Sequence, residues 1–418
     1  RSKSRIGEKM SNIIRPEVLS PAGDMERLRA AVLFGADAVY LGGKELGMRA
    51  SPLNFTDDEL CEAVVFAHQN GVKVYLTCNT VPTNDEADRL EETLKTAAKC
   101  GVDALIIADM GVFMTARRVV PQLEVHMSTQ VGIVNYITAC ELYKMGAKRI
   151  VLARELSLDD IARIRDKAPP ELELECFVHG AMCMSFSGRC LLSHYMTGRD
   201  ANRGECAQPC RWGYHLVEEK RPNEYYPVYE DERGSYILNA KDLSMIRDID
   251  KLAAVGVNSL KIEGRAKSAY YVAVITNAYR NAVDEYLKDP QGFVLPQWID
   301  DETCKVSHRE YSTGFFYGRP QNGQCYKDGG YVRSYDIVAT VDYWSDGVLY
   351  VTQRNRFYPN DALEILVPKG RFMPFVAKEI FTEQNEPVEN ACHSMQHLKI
   401  PSEKAYPQGS ILRKQKEL

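Results

Sequence analysis

Gly101-Val-Asp-Ala-Leu-Ile-Ile-Ala-Asp109 contains the unit from which most of this chain is built. A glycine ends a helix in the left-handed conformation. The apolar run Ala104–Ile107 then makes a short strand buried on both faces. Asp109 follows where the next helix starts, as a capping residue does. The same order of glycine, apolar run and helix recurs through the first two thirds of the 418 residues. Glu17–Ser20, Ala38–Leu41, Val72–Leu76, Ala104–Ile107, Leu123–Met127, Arg149–Leu152, Leu172–Val178 and Ser259–Ile262 read as strands. Gly35, Gly71, Gly101, Gly146 and Gly256 stand just ahead of five of them. Thr56-Asp-Asp-Glu59 and Thr83-Asn-Asp-Glu86 have the form of capping boxes, and Ser157 before Asp159 and Asp160 is a similar helix start. Apolar strands alternating with helices predict a parallel sheet, and eight such units in about 270 residues predict a (β/α)8 barrel.

Composition bounds the remaining classes. Hydrophobic residues at 45% and charged residues at 26% are those of a globular protein, which excludes disordered, collagen-like and coiled-coil chains. No apolar run approaches the ~20 residues that cross a bilayer, so no membrane association is expected. The segment from Arg1 to Asn12 is polar and basic, without the apolar stretch of a secretory leader. Met10 reads as a natural start, and residues 1–13 as a flexible N-terminal segment. A net charge of −5 speaks against a generally basic nucleic-acid binder, so an RNA or anion site has to be a local patch. Twelve cysteines without an export signal suggest a reducing, cytoplasmic setting, where clustered cysteines more often bind metal than form disulfides. A homo-oligomer is left open.

In a barrel of this kind the residues just after each strand line the mouth that carries the chemistry. Ser20, Gly42, Asn79, Asp109, Ser128, Gln130, Arg154, Glu155, His179, Glu263 and Arg265 occupy those positions. Asp109 and Ser128 read equally well as helix caps. After the seventh strand the rhythm breaks: Cys183 to about Lys241 forms an insertion of almost 60 residues. It holds four cysteines, the aromatics Phe186, Tyr195, Trp212 and Tyr214, and a predicted hairpin around Glu232-Arg233-Gly234. A patterned helix runs from Ser268 to about Leu287. The barrel domain is expected over 14–290, a linker over 291–328, and a small all-β barrel over 329–418. In that last part Asp336–Tyr343, the turn Asp346-Gly347 and Val348–Thr352 predict a hairpin, which Ala362–Val367, Phe375–Phe381 and Ser410–Arg413 extend. Small barrels of this sort dock oligonucleotides or serve only as packing modules.

The strongest local pattern is Cys183-x6-Cys190-x15-Cys206-x3-Cys210. Four thiolates suit zinc or an iron–sulfur cluster. Only Cys206 and Cys210 resemble a zinc knuckle, so the wide spacing fits a cluster better, with unrelated thiols the remaining alternative. Cys176 reads as core, and the other cysteines as scattered structural residues. Arg154, Lys261 and Arg265 at strand ends, and Arg189, Arg199, Arg203 and Arg211 in the insertion, are candidate holders of an anion. The plainer alternative makes Lys261 and Glu263 a structural ion pair and leaves the loop arginines solvated. His179, His126 and Glu263 are candidate proton donors or acceptors, although a lone barrel histidine is more often a core residue. No His-Glu-x-x-His, Gly-x-Ser-x-Gly or phosphate-loop pattern occurs, and a Cys183–His179 dyad is the only protease-like pairing.

The run Glu175-Cys-Phe-Val-His179-Gly-Ala-Met-Cys183-Met-Ser-Phe-Ser-Gly-Arg-Cys190-Leu-Leu-Ser193 resembles the signature of the collagenase-like peptidases, family number 32 of the unknown catalytic type. Leu19-Ser-Pro-Ala-Gly23, Gly35-Ala-Asp-Ala-Val-Tyr-Leu-Gly42 and Ser259-Leu-Lys-Ile-Glu-Gly-Arg265 are similar to the same family. Several members of that family are oxygen-independent hydroxylases that carry a [4Fe–4S] cluster and take a hydroxyl group from prephenate. Gly204-Glu-Cys206-Ala-Gln-Pro-Cys210-Arg-Trp212, the chain length and the added β module resemble the branch that makes 5-hydroxyuridine at the tRNA wobble position. The resemblance implies Cys183, Cys190, Cys206 and Cys210 as cluster ligands, prephenate as a small anionic co-substrate and the tRNA anticodon arm as partner. A collagenase-like peptidase and a non-catalytic RNA- or protein-binding module with structural zinc are the alternatives.

Overall fold

The computed structural model describes residues 14–44, 54–183, 190, 192–199, 205–212, 215–217, 225–227, 240–318 and 332–416. The strands in chain order are β1 (Glu17–Pro21), β2 (Ala38–Gly42), β3 (Lys73–Cys78), β4 (Ala104–Ile107), β5 (Glu124–Met127), β6 (Arg149–Val151) and β7 (Glu173–Ala181). Then come β8 (His215–Val217), β9 (Tyr225–Pro227), β10 (Asp242–Ser244) and β11 (Ser259–Ile262). Strands β1 to β7 pair in sequence order, and β11 closes the ring by pairing in parallel with both β7 and β1. This is the (β/α)8 barrel read from the sequence. Its helices start and stop as the local chemistry requires. Thr56 and Glu59 exchange both bonds of a capping box, with Thr56 N donating to Glu59 Oε2 at 2.8 Å. Thr83 with Glu86 and Ser157 with Asp160 do the same. All five of the glycines read as helix ends have positive φ.

Strand β7 runs past its expected end because residues 179–181 pair antiparallel with β10 outside the barrel ring. The segment 291–328, expected to be a linker, is instead partly built into the domain. Gln297–Thr303 is a helix whose Ile299 is wholly buried, and β12 (Tyr311–Ser312) adds in parallel to β10. A helix this short shows too few turns for its periodicity to be read from sequence. The predicted hairpin around Glu232 and residues 1–13 lie outside the described residues; within the insertion, β8 and β9 pair antiparallel.

The C-terminal part is a seven-stranded antiparallel sheet. It comprises β13 (Tyr335–Ser345), β14 (Val348–Gln353), β15 (Ala362–Leu366), β16 (Phe372–Val376), β17 (Phe381–Thr382), β18 (His397–Pro401) and β19 (Ile411–Gln415). The single strand expected over Phe375–Phe381 is two strands, and β18 was not foreseen. Its only buried side chains, Leu398 and Ile400, alternate with His397, Lys399 and a proline, so the apolar signal is thin. The sheet is tied to the barrel domain by a buried ion cluster. The Arg413 guanidinium donates to both Glu302 carboxylate oxygens, at 2.6 and 2.8 Å, and Lys305 joins Glu302 to Glu364. Leu366 and Ile411 extend the barrel core into the sheet. Among the described residues no helix is long and apolar enough to cross a membrane.

Candidate active site at the barrel mouth

The barrel interior is filled in layers, and the lowest layer is charged. Arg149 on β6 binds Glu17, Glu173 and Glu175, and Lys261 on β11 places its Nζ 2.8 Å from Glu175 Oε1. Burial would raise the Glu175 carboxyl, but Lys261 and Arg149 hold it at about 2, so it stays ionised. His126 on β5 belongs to this layer. It is wholly buried, edge-on to the Tyr75 ring at 4.7 Å, and its burial lowers its pKa and keeps the ring neutral. Above it, Leu19, Tyr40, Tyr75 and Ile106 form an apolar plug, with the Lys261 ammonium 4.6 Å from the centre of the Tyr40 ring.

Over the plug lies a cavity of ≈ 250 Å³. Its floor is Tyr40 and Ile106, and its walls come from the ends of most barrel strands. Arg154, after β6, lays its guanidinium over the Phe177 ring at 3.9 Å, donates to Ala181 O at 3.0 Å and lies 3.5 Å from Glu263 Oε2. Arg265, beyond β11, donates to Thr77 Oγ1 at 3.1 Å and Asn54 Oδ1 at 2.7 Å. Its guanidinium lies against Gly42 at the end of β2, where a Cβ would force it to shift. Arg154, Lys261, Arg265 and Glu263 therefore face one space. That set can grip a dianion and leave a carboxylate to take up a proton.

The insertion brings its sulfurs to the same space. Cys183, Cys206 and Cys210 line the cavity beside Met182 and Gln208. Cys190 heads the helix Leu192–Thr197, and its sulfur accepts from Leu192 N at 3.4 Å; Cys206 accepts likewise from Gln208 N at 3.3 Å. Ser193 of that helix accepts from Ala207 N, so the two cysteine segments are held together. None of the four is in a disulfide, and soft sulfur donors of this kind suit an iron–sulfur cluster or zinc. Among the described residues no three His, Cys, Asp or Glu side chains converge as a metal site. Elsewhere Cys61 and Cys100 form a disulfide between the helices Asp57–Gln69 and Leu90–Cys100 on the outside of the barrel, a pairing not foreseen from the sequence.

Of the residues singled out by sequence, Asn79, Gln130, Arg154, Lys261, Glu263, Arg265, Cys183, Cys206 and Cys210 meet at this cavity, together with Ser128 and Glu155. The two histidines do not. His126 is below the plug. His179 sits behind the wall, since β7 turns at Gly180 (φ +104°) and its register with β11 shifts beside Ile262. The His179 ring packs among Tyr271, Tyr279 and Tyr311, with Nε2 3.3 Å from the Tyr311 hydroxyl. Burial, assisted by His308 and Lys267, pushes its pKa down to about 3. A Cys183–His179 dyad is therefore not assembled, because the ring is engaged behind the wall. Ser20 binds Thr276 in the core, and Asp109 caps the helix Met110–Val119. Arg199 is exposed and away from the cavity; Arg189, Arg203, Phe186 and Tyr214 lie outside the described residues, as do the side chains of Tyr195 and Arg211. Tyr40, Thr77 and Phe177 were missed. They stand within strands and read as core, although the alternation from Glu175 to Phe177 already points both inward.

Residues 23–325 match the family model for peptidase family U32, and residues 333–413 that for the peptidase family U32 C-terminal domain. A tRNA hydroxylation protein of Bacillus subtilis is 38% identical, over 98% of this chain and 99% of its own. An uncharacterized protease of Methanocaldococcus jannaschii is 45% identical over 73% of this chain and 74% of its own. The Escherichia coli 23S rRNA 5-hydroxycytidine synthase is 40% identical over 66% of this chain and 40% of its own length.

Proposed function

The chain belongs to peptidase family U32, and on that footing we propose that it is an RNA-modifying hydroxylase that converts the wobble uridine of tRNA to 5-hydroxyuridine. The relative matched along nearly its whole length is a tRNA hydroxylation protein, and another relative acts on cytidine in rRNA. The observation that carries the reading is the meeting of Cys183, Cys206 and Cys210 with Arg154, Lys261, Arg265 and Glu263 on one cavity.

In this reading prephenate, a dianion, supplies the hydroxyl group without oxygen, and the reaction runs in the cytoplasm. Arg154 and Arg265 grip its carboxylates, while Lys261, fixed by Glu175, adds positive charge at the floor. Exchange of C5–H for C5–OH, with the donor ring aromatising as it loses hydroxide and carbon dioxide, releases the C5 proton and two electrons. Glu263 is the carboxylate positioned to take the proton. The electrons pass to an acceptor of the class of soluble one-electron carriers. A [4Fe–4S] cluster held by Cys183, Cys190, Cys206 and Cys210 would supply one-electron transfer. The apolar plug beneath keeps water out of the barrel below the reacting atoms.

The test is anaerobic purification followed by iron, zinc and acid-labile sulfide analysis, with tRNA nucleosides measured after incubation with prephenate and an electron acceptor. About four irons and four sulfides per chain and new 5-hydroxyuridine are expected, both lost in Cys206→Ser. Zinc without iron, or normal modification by Cys206→Ser, would overturn the reading. Gelatin hydrolysis that survives loss of all four cysteines would put a peptidase in its place.

A further inference from the structure

Two amides in the cavity have no assigned task. Asn79 follows β3, and Gln130 lies in the turn after β5. Both line the cavity, and neither Asn79 Oδ1 nor Gln130 Oε1 has a hydrogen-bond partner among the described residues, though both atoms are buried. A buried amide oxygen without a donor is destabilising, and such groups are kept where something else satisfies them.

Their place in the ring says what that is. In the closed order of strands, β4 lies opposite β11, so the amides flanking β4 face the wall that carries Lys261 and, from the neighbouring β7, Cys183. Between the amides stands Ile106 of β4, an apolar surface on the cavity floor. The cationic wall suits carboxylates, which only accept hydrogen bonds. An amide offers a donor and an acceptor side by side and can turn to present either. Its complement is a flat ring whose edge also carries both.

We propose that Asn79 and Gln130 read the hydrogen-bonding edge of a pyrimidine base turned out of its RNA into the cavity. The inference rests on the RNA-hydroxylase reading and gives the base its own wall. A base held by its N3 edge on the β3/β5 side lies over Ile106 and presents its far edge, which includes C5, across the cavity toward the cations and the cysteine segments. Flipped-out bases are bound in this manner, by hydrogen bonds to that edge. The base is then selected by the two amides, separately from the cations that grip the hydroxyl donor.

The experiment uses the full-length protein and two anticodon stem-loops, identical except for uridine or an abasic ribose at the wobble position. The wild type should bind the uridine RNA about 10- to 100-fold more tightly, the range expected for two hydrogen bonds to a base. Asn79→Leu and Gln130→Leu should each reduce that ratio, and together bring it near one, with abasic binding unchanged and the KM for prephenate unaltered. Asn79→Asp and Gln130→Glu keep the shape, turn the donor into an acceptor and add a charge; the charge acts on uridine and abasic RNA alike, so a reduced ratio in these variants reports the lost donor and not packing. A ratio unmoved in these variants, while the wild type still makes 5-hydroxyuridine, overturns this inference alone. A wild type that makes none under any electron acceptor overturns the functional reading beneath it.

Discussion

Lys261 Nζ lies 2.8 Å from Glu175 Oε1 across the β7–β11 ladder, inside the barrel and shut off from solvent. The pair settles an ambiguity of the Lys261-Ile-Glu263 run. Alternation puts Lys261 and Glu263 on the same side of the strand, but Lys261 reaches across to Glu175 on β7, so its partner is Glu175, not Glu263. Glu263, one step beyond the strand end, is left beside Arg154 at the cavity. The glutamate of the structural pair and the glutamate that lines the cavity are thus different residues.

Replacing Glu175 with Gln should destabilise the fold by about 3–5 kcal/mol at neutral pH, because Lys261 and Arg149 lose a buried ionic partner. The Glu175 carboxyl is held at about 2, below its unfolded value near 4.3. Its contribution is therefore present above pH 4.3 and is lost as pH falls from there toward 2. Denaturant unfolding of wild type and Glu175→Gln should show a gap that narrows over this window. A gap of constant size would show that the charge is not what matters.

His179 also has a lowered pKa, so its contribution is likewise lost as pH falls. Its folded pKa of about 3 lies below the unfolded value near 6.5, so only the unfolded chain takes up a proton between them. Stability contributed by the neutral ring is complete above pH 6.5 and declines as pH falls toward 3. From pH 8 to pH 5.5 the wild type should lose about 1.4 kcal/mol more than His179→Gln, from the linkage of that single group. Equal losses in the two proteins would place His179 in contact with water, contrary to its packing among three tyrosines.

Arg413 and Glu302 join the C-terminal sheet to the helix Gln297–Thr303, with both side chains fully buried. Arg413→Met or Glu302→Leu alone should cost about 3–5 kcal/mol by leaving one buried charge without its partner. The double variant should recover much of that loss. A thermodynamic cycle in urea measures the coupling, and additive single effects would count against it.

Arg154→Lys keeps the charge but not the planar fork that lies on Phe177 and reaches Ala181 O. It should raise the KM for prephenate about tenfold while leaving RNA affinity within about twofold, since one charge-assisted bond is worth about 1.5–3 kcal/mol. Phe177→Leu should act the same way through loss of the stacked surface. If either substitution instead weakens RNA binding first, the cationic wall faces RNA and not the co-substrate.

Much of this was legible before any coordinates. Gly35, Gly71, Gly101, Gly146 and Gly256 ending helices, capping boxes such as Thr56 with Glu59, and eight apolar runs are local facts, and local facts are what a single sequence carries. The strand-end rule then located Asn79, Gln130, Arg154, Glu263 and Arg265 at one mouth, because in a parallel barrel all strand ends face the same way. The cysteine spacing, likewise, pointed to one loop.

Tertiary structure decided what lies on which side of a wall. His179 belongs to a strand end by sequence, yet one glycine at positive φ and one register shift send it outward, while Phe177 two residues earlier faces the cavity. His126 is at the correct strand but one layer too deep. Gln297–Thr303 becomes an anchor for the C-terminal sheet only because Arg413, more than a hundred residues away, meets Glu302 there. The sequence by itself determined the elements, their order and the mouth that gathers the polar residues, since these follow from periodicity and caps. Depth along the barrel axis, the direction of a side chain after a bulge and the choice of ionic partner depend on contacts between residues far apart in the chain, and only the closed barrel sets them.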